Sequence, residues 1–215
     1  MILQSEVLPS HDDLLAQVEA AEHDCGWLAR CDDEGQYVAL NRQFVEALAS
    51  VLLKINPRGR KVLEVCAGNG ALAAGLRACG IDIVATDANP PFSARDVIPS
   101  SATTALREYC PSVVLGSFVP FDAQIDQAIL RHEGVQAYVV LGARTGHECG
   151  SGGQPVYPGW QWHPLPLVTS YFVSRHDVWL GHNLPLLKKG EAWLLLRQGT
   201  VSTQPEELKE EHYAL

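Results

Sequence analysis

The chain has 215 residues, 47% of them hydrophobic and 19% charged, with a formal net charge of −9. That length supports one domain with a sizeable core and leaves little for a second. The acidic balance speaks against nucleic acid as a partner, because phosphate binding needs a basic face, and the only basic clusters are Arg58-Gly-Arg-Lys61 and Lys188-Lys189.

The N-terminal stretch MILQSEVLPSHDDLL has no basic start and no continuous apolar run, and no later segment is long enough to span a bilayer. A cytoplasmic setting away from membranes is expected, with thiols kept reduced. The six cysteines, at 25, 31, 66, 79, 110 and 149, lack paired spacing and offer no zinc-ligand set, so no metal is expected.

Asp12 or Asp13 is positioned to cap a first helix running to about Asp24, with Leu14, Leu15, Val18 and Ala21 on one face. Gly26, Asp32, Asp33 and Gly35 then mark turns. A second helix is predicted from near Leu40 to Ile55, because Phe44, Val45, Leu48 and Leu52 recur at helical spacing and Asn56-Pro57 stops it. Tyr37 and Asn41, at its entry, either reach a substrate or serve as a turn tyrosine and a capping asparagine.

The stretch from Lys61 to Asn89 carries the clearest pattern. Val62, Leu63 and Val65 read as a buried parallel strand. The turn Ala67-Gly68-Asn69-Gly70 follows, then an Ala/Leu-rich helix that Gly80 closes, then a second apolar run from Ile81 to Ala85 leading to Asp87. This is a β-α-β unit with a nucleotide-type loop. Glycines at 68 and 70 let backbone approach a ligand and expose N–H groups at a helix N-terminus. Asp87 stands where a carboxylate can accept ribose hydroxyls. Glu64, just before the loop, adds a fixed negative charge for a cationic group. S-adenosylmethionine has an amino acid at one end and a nucleoside at the other, and so matches both carboxylates. Gly68-x-Gly70-x-x-Ala73 also satisfies the dinucleotide fingerprint, which keeps an NAD(P)-dependent oxidoreductase as an alternative.

Beyond Asp87, Asn89-Pro90-Pro91 turns the chain and Phe92 to Ile98 must supply any third strand. Ser101-Ala102 opens a helix through Tyr109. Val113 to Leu115 is a fourth strand that ends in Gly116-Ser-Phe-Val-Pro-Phe-Asp122, and Asp122 is positioned to cap a helix from Ala123 to Arg131. Val135 to Gly142 is a fifth strand. From Ala143 to Pro166 the sequence is rich in Gly, Trp, His and Pro without a period, and reads as a lid or wall on the substrate side. Val168 to Ser174 is a predicted sixth strand, Glu191 to Arg197 the last, and Thr200 to Leu215 a polar tail.

Glu64-Val-Cys-Ala-Gly-Asn-Gly70, with Asp87 after the next strand, resembles the first two motifs of class I S-adenosylmethionine-dependent methyltransferases. Cys66 departs from the family's first glycine, with a small residue in its place. The resemblance implies a three-layer α-β-α Rossmann-like sheet, mostly parallel with a reversed last strand, plus N-terminal helices. The expected organisation is one domain. It comprises a helical layer at 1–57, a cofactor-binding core at 58–142, a substrate-side loop with terminal strands at 143–199, and the tail at 200–215. The resemblance also implies S-adenosylmethionine as cofactor, held by Glu64, Cys66, Ala67, Gly68, Asn69, Gly70, Asp87 and Ala88. Ser101 stands where the family often has an aspartate on the adenine amino group, so Ser101 and Ala102 join the cofactor set, as do Ser117 and Phe118. Ser117-Phe-Val-Pro120 is only a distant echo of the Asn/Asp-Pro-Pro-aromatic stretch that holds an amine nucleophile.

Methyl transfer asks mainly for alignment, and a general base only when the acceptor holds its proton tightly. His147 and His176 are the candidate bases. Asp177 cannot simply buttress His176, because neighbours on a strand point to opposite faces. Trp160, Trp162 and His163 are candidate substrate contacts. The tryptophans either stack an aromatic or cationic acceptor or pack the loop onto the core. The expected partner is a small-molecule substrate, not nucleic acid or membrane, with homo-oligomerisation left open. A SAM-fold protein with other chemistry or a scaffold role is a further alternative.

Overall fold

The computed structural model describes residues 8–21, 33–56, 58–120, 124–143, 158–174 and 190–199. The chain runs α1 (His11–Ala21), β1 (Val38–Ala39), α2 (Arg42–Ile55), β2 (Val62–Val65), α3 (Ala71–Ala78), β3 (Ile83–Asp87), β4 (Val97–Pro99) and α4 (Ala102–Tyr109). It continues with β5 (Val113–Ser117), α5 (Ile125–Arg131), β6 (Ala137–Ala143), β7 (Trp160–Pro164), α6 (Pro166–Tyr171), β8 (Val173–Ser174) and β9 (Gly190–Arg197). Among the described residues no helix is long and apolar enough to cross a membrane.

The sheet has seven strands in the order β4-β3-β2-β5-β6-β9-β7. The strands from β4 to β6 pair in parallel, while β9 pairs antiparallel with both β6 and β7. All four residues of β2 are buried, as a central parallel strand covered on both faces must be. On one face Val62 packs with Phe44, Leu48 and Leu52 of α2 and Leu72 and Leu76 of α3. On the other, Leu63 and Val65 pack with Ala105 and Leu106 of α4 and Ile129 and Leu130 of α5.

Local sequence explains most element ends. Asn41 caps α2: its Oδ1 accepts the Phe44 N–H at 2.9 Å, and its Nδ2 donates to the Tyr171 carbonyl at 2.8 Å. Gly80 ends α3 at φ 84°, with Gly80 N–H on the Arg77 carbonyl and Ile81 N–H on the Leu76 carbonyl. The first helix is capped by Ser10 rather than Asp12 or Asp13. The Ser10 hydroxyl accepts the Asp13 N–H at 3.1 Å and donates to the Asp13 carboxylate at 2.6 Å. Before α5, Gln124 sits in the left-handed region and gives no side-chain cap; Asp122 lies outside the described residues. The third strand begins only at Val97, since residues 91–96 turn.

Two sequence expectations fail between 160 and 174. The aperiodic stretch contains an edge strand, β7, and the predicted strand from Val168 is helical to Tyr171. Pro166 is the reason for the second: at a first helical position its fixed φ favours helix and its missing N–H costs nothing. The remainder, β8, pairs with β1 in a separate two-stranded ribbon, Val38 opposite Ser174 and Ala39 opposite Val173.

The end of β9 is bound tightly to α5. The Arg197 guanidinium donates to the carbonyls of Val135 (2.8 Å), His132 (2.8 Å) and Leu130 (3.2 Å) and lies 4.6 Å over the Trp160 ring. It thereby satisfies carbonyls at the C-terminus of a helix with a charge of favourable sign. Arg197→Ala should lower stability by about 2 kcal/mol, given that hydrogen bonds to charged groups are worth roughly 1.5–3 kcal/mol each and partial exposure discounts them. Chemical denaturation checks this, and an unchanged midpoint would show that solvent replaces the contacts.

Candidate active site

The cleft lies at the carboxyl ends of β2 and β5, where an open parallel sheet presents its loops. Its lining comes from three places: Gly35 to Val38 and Leu40, then Glu64 and Cys66 to Asn69 with Ala71 and Leu72, and finally Ser117. The cavity volume is about 40 Å³, room for a few waters.

Glu64 dominates the site's electrostatics. Strand alternation turns it to the α3 face, with Val62, while Leu63 and Val65 face the other helices. It is 1% exposed, and its Oε2 has no hydrogen-bond partner among the described residues. Burial pushes its carboxyl up to about 8; Arg77 on α3 pulls the other way and Asp87 adds to the rise. Arg77 makes no ion pair or hydrogen bond with it; its Nε donates to the Ile83 carbonyl at 3.2 Å. A buried carboxyl left unsatisfied is costly in a fold. Its natural complement is a cation bearing N–H donors.

Asp87 ends β3 and ties the glycine loop to it. One carboxylate oxygen accepts the Gly68 N–H at 2.9 Å, and the other accepts the Asn89 N–H at 2.8 Å. Each oxygen keeps a lone pair for a ligand hydroxyl.

The glycine loop differs from its expected role in two ways. Four of the N–H groups that an anion cradle would use are bonded within the protein. Ala67 bonds the Thr86 carbonyl, Gly68 the Asp87 carboxylate, Gly70 the Ala67 carbonyl and Ala71 the Asn69 side chain. The close approach that the glycines permit is also to the protein itself. A Cβ at Gly68 (φ 55°) would lie 2.5 Å from the Gly35 carbonyl oxygen, and one at Gly70 (φ 80°) 2.7 Å from that of Arg95.

Cys66, standing where the resembled motif has its first glycine, takes a left-handed conformation, φ 56°. The backbone there keeps a glycine-like shape despite carrying a side chain, which strains it. Burial pushes the thiol up to about 12, with Asp87, Asp126 and Glu64 adding to the rise, so it stays protonated and is no nucleophile. Cys66→Gly should raise stability by about 1 kcal/mol and Cys66→Val lower it by about 2, because a β-branched residue tolerates positive φ least. Thermal unfolding of the pair tests this; the reverse order would mean that thiol packing outweighs backbone strain.

Of the residues picked from sequence, the cleft brings together Tyr37, Glu64, Cys66, Ala67, Gly68, Asn69 and Ser117. Gly70 is buried beneath Val97 and Arg95, and Asp87 accepts the Gly68 N–H beside the cleft without being part of its lining. Ala88 is exposed beyond β3. Phe118 is buried at φ 48° and stacks on Tyr37, ring centroids 5.7 Å apart. Ser101 caps α4 by accepting the Thr104 N–H at 3.2 Å, and Ala102 is buried behind it. Asn41 is fully buried in its capping role. Trp160, Trp162 and His163 lie on β7, separated from β5 by β6 and β9. Trp160 donates to the Leu130 carbonyl at 3.1 Å and Trp162 meets Trp193 edge-on, so these rings pack the sheet's end. His147 and His176 lie outside the described residues. Sequence reading missed Gly35, Gln36, Val38 and Leu40 as cleft wall; the turn at Gly35 was its only sign.

The strand order β4-β3-β2-β5-β6-β9-β7, with β9 reversed between two strands of the opposite sense, decides the architecture. The fold is that of the Rossmann-like methyltransferases. No protein-family model and no curated protein matches the chain. Among solved structures, this methyltransferase fold is similar to the 23S rRNA methyltransferase ErmE, at 14% identity over 79% of this chain and 74% of that one, TM-score 0.40. It is similar to the bifunctional kinase-methyltransferase WbdD at 14% identity over 71% of this chain, TM-score 0.41, and spans 38% of WbdD's length. The CcbJ methyltransferase from Streptomyces caelestis aligns at 13% identity over 73% of this chain and 90% of that one, TM-score 0.39. Likeness at these values carries no argument about this chain, and the strand order alone describes the fold.

Proposed function

We propose that the protein is an S-adenosylmethionine-dependent methyltransferase that transfers a methyl group to a small-molecule acceptor by in-line displacement. The observation that carries this reading is Glu64: a buried carboxyl in the cleft whose Oε2 has no partner among the described residues. An ammonium group answers it, and a nicotinamide dinucleotide has none to offer. The N–H groups of Ala67, Gly68, Gly70 and Ala71 are already bonded within the protein, which takes four donors from any pyrophosphate at this loop. Glu64 would hold the amino-acid end and Asp87 the ribose. When bound, the cofactor supplies an electrophilic methyl group.

The chain's own part is alignment. Ser117 and Tyr37 border the cleft at the end of β5 and would orient the acceptor, with Tyr37 backed by Phe118. His147 and His176 remain the proposed bases. The net charge of −9 favours a small acceptor over RNA or DNA, and a cytoplasmic location is proposed with it.

Thermal unfolding with S-adenosylmethionine, S-adenosylhomocysteine or NAD(P) added separately tests the cofactor. A ligand at about 100 times its dissociation constant stabilises by about 2.7 kcal/mol. Both adenosyl ligands should raise the midpoint, and Asp87→Ala should weaken both. A shift with NAD(P) alone would overturn the reading.

A further inference from the structure

We infer that binding of the cofactor's amino-acid end is coupled to the loss of a proton from Glu64. The inference rests on the cofactor reading above and concerns the protonation state of the same site. Glu64 is turned to the α3 face, 1% exposed, with Oε2 unpartnered among the described residues and the side chain lining the cleft.

Among the described residues, the charged and titratable groups that act on Glu64 or on its neighbour Cys66 come from four elements. Arg77 on α3 is within electrostatic reach but commits its Nε to the Ile83 carbonyl. Asp87 on β3 is a second carboxylate, held by two backbone N–H groups. Cys66 on the loop is a neutral thiol, with Asp126 on α5 within reach of it. Among the described residues Arg77 is the cation that acts on Glu64, it does not bond it, and burial outweighs it. The carboxyl at about 8 is mostly protonated at pH 7 and below.

A ligand ammonium changes that balance. Placed against Oε2, it supplies the opposite charge and the N–H donors that favour the ionised form. The O–H bond of the Glu64 carboxyl breaks, its proton passes to solvent, and the ammonium keeps its own. Affinity then rises with pH while Glu64 is protonated in the free protein, because each binding event expels a proton. Recognition of the amine thereby becomes a condition for ionising Glu64. A nucleoside without the amino acid would meet a neutral carboxyl and release nothing.

Isothermal titration calorimetry at pH 6.5, in two buffers of different ionisation enthalpy, reads the proton directly. S-adenosylmethionine and S-adenosylhomocysteine should each release about 0.9 proton on binding the wild-type protein, while 5′-methylthioadenosine, which lacks the amino acid, should release almost none. Affinity for the first two should rise about tenfold per pH unit from 5.5 to about 7 and stay flat in Glu64→Gln. The wild-type measurement stands alone should that variant fail to fold. Binding of S-adenosylmethionine without proton release overturns the inference and leaves the cofactor reading standing, and so does equal release with 5′-methylthioadenosine. No binding of any adenosyl ligand overturns both.

Discussion

Glu64→Gln should make the ligand-free protein more stable at pH 7, by about 3 kcal/mol, and should flatten its dependence on pH. The folded carboxyl titrates at about 8 against a reference of 4.5. Between those values the native state holds a proton that the unfolded chain has released. Wild-type stability therefore falls by about 1.4 kcal/mol per pH unit as pH rises from about 4.5 to about 8, and levels off above. A neutral amide of the same shape carries no such penalty. For a chain of this length the gain corresponds to roughly 6–12 °C in melting temperature. Melting curves of both proteins at pH 5, 7 and 8.5 decide it; parallel pH profiles would mean that Glu64 is ionised in the fold. A residue that destabilises the protein at working pH while lining its cleft is what a binding site retains at the cost of stability.

Gly68→Ala should lower stability by about 2–5 kcal/mol, the sum of roughly 1–2 for a left-handed alanine and 1–3 for overpacking. The obstacle is the Gly35 carbonyl oxygen, 2.5 Å from the new methyl group, and backbone cannot rotate away as a side chain does. Gly59 provides the control: it has φ 58°, and a Cβ there would meet nothing within 4 Å. Gly59→Ala should therefore show the backbone cost alone, about 1–2 kcal/mol. Denaturant midpoints of the two variants separate conformation from contact. Equal losses would show that the Gly35 segment moves aside freely, and Gly68→Ala would then weaken ligand binding little.

The legible part of the fold was the part governed by local rules. From Val62 to Asp87 the residues read as strand, turn, helix and strand in succession, and the β-α-β unit has that order, its second strand running Ile83–Asp87 rather than from Ile81. Glu64 was legible for the same reason, a charge placed inside a strand that is otherwise wholly apolar. Trp160-Gln-Trp162 does alternate, but the strand follows Gly159, ends on Pro164 and has only five residues, too few for its period to stand out. As an edge strand it tolerates the terminal proline that would have barred it from the sheet's interior. Ser101 shows a different limit. A serine before Ala-Thr-Thr reads as a helix cap, and the structure uses its hydroxyl there. The closed pairing of the loop amides was beyond sequence, since it depends on Asp87 and Thr86 arriving from the next strand.

The ribbon of β1 and β8 has a consequence for the order in which the molecule assembles. Val38 and Ala39 are held by Val173 and Ser174, and Asn41 reaches the Tyr171 carbonyl across 130 positions of chain. The glycine loop and its two strands, by contrast, close over about 25 residues, an early event by contact order. The outer wall of the cleft can dock only after β8 has emerged from synthesis and α6 has found α2. Closing so long a loop costs entropy that only late, collective packing offsets. Folding followed by pulsed hydrogen exchange would thus see the floor of the cleft protected well before its wall.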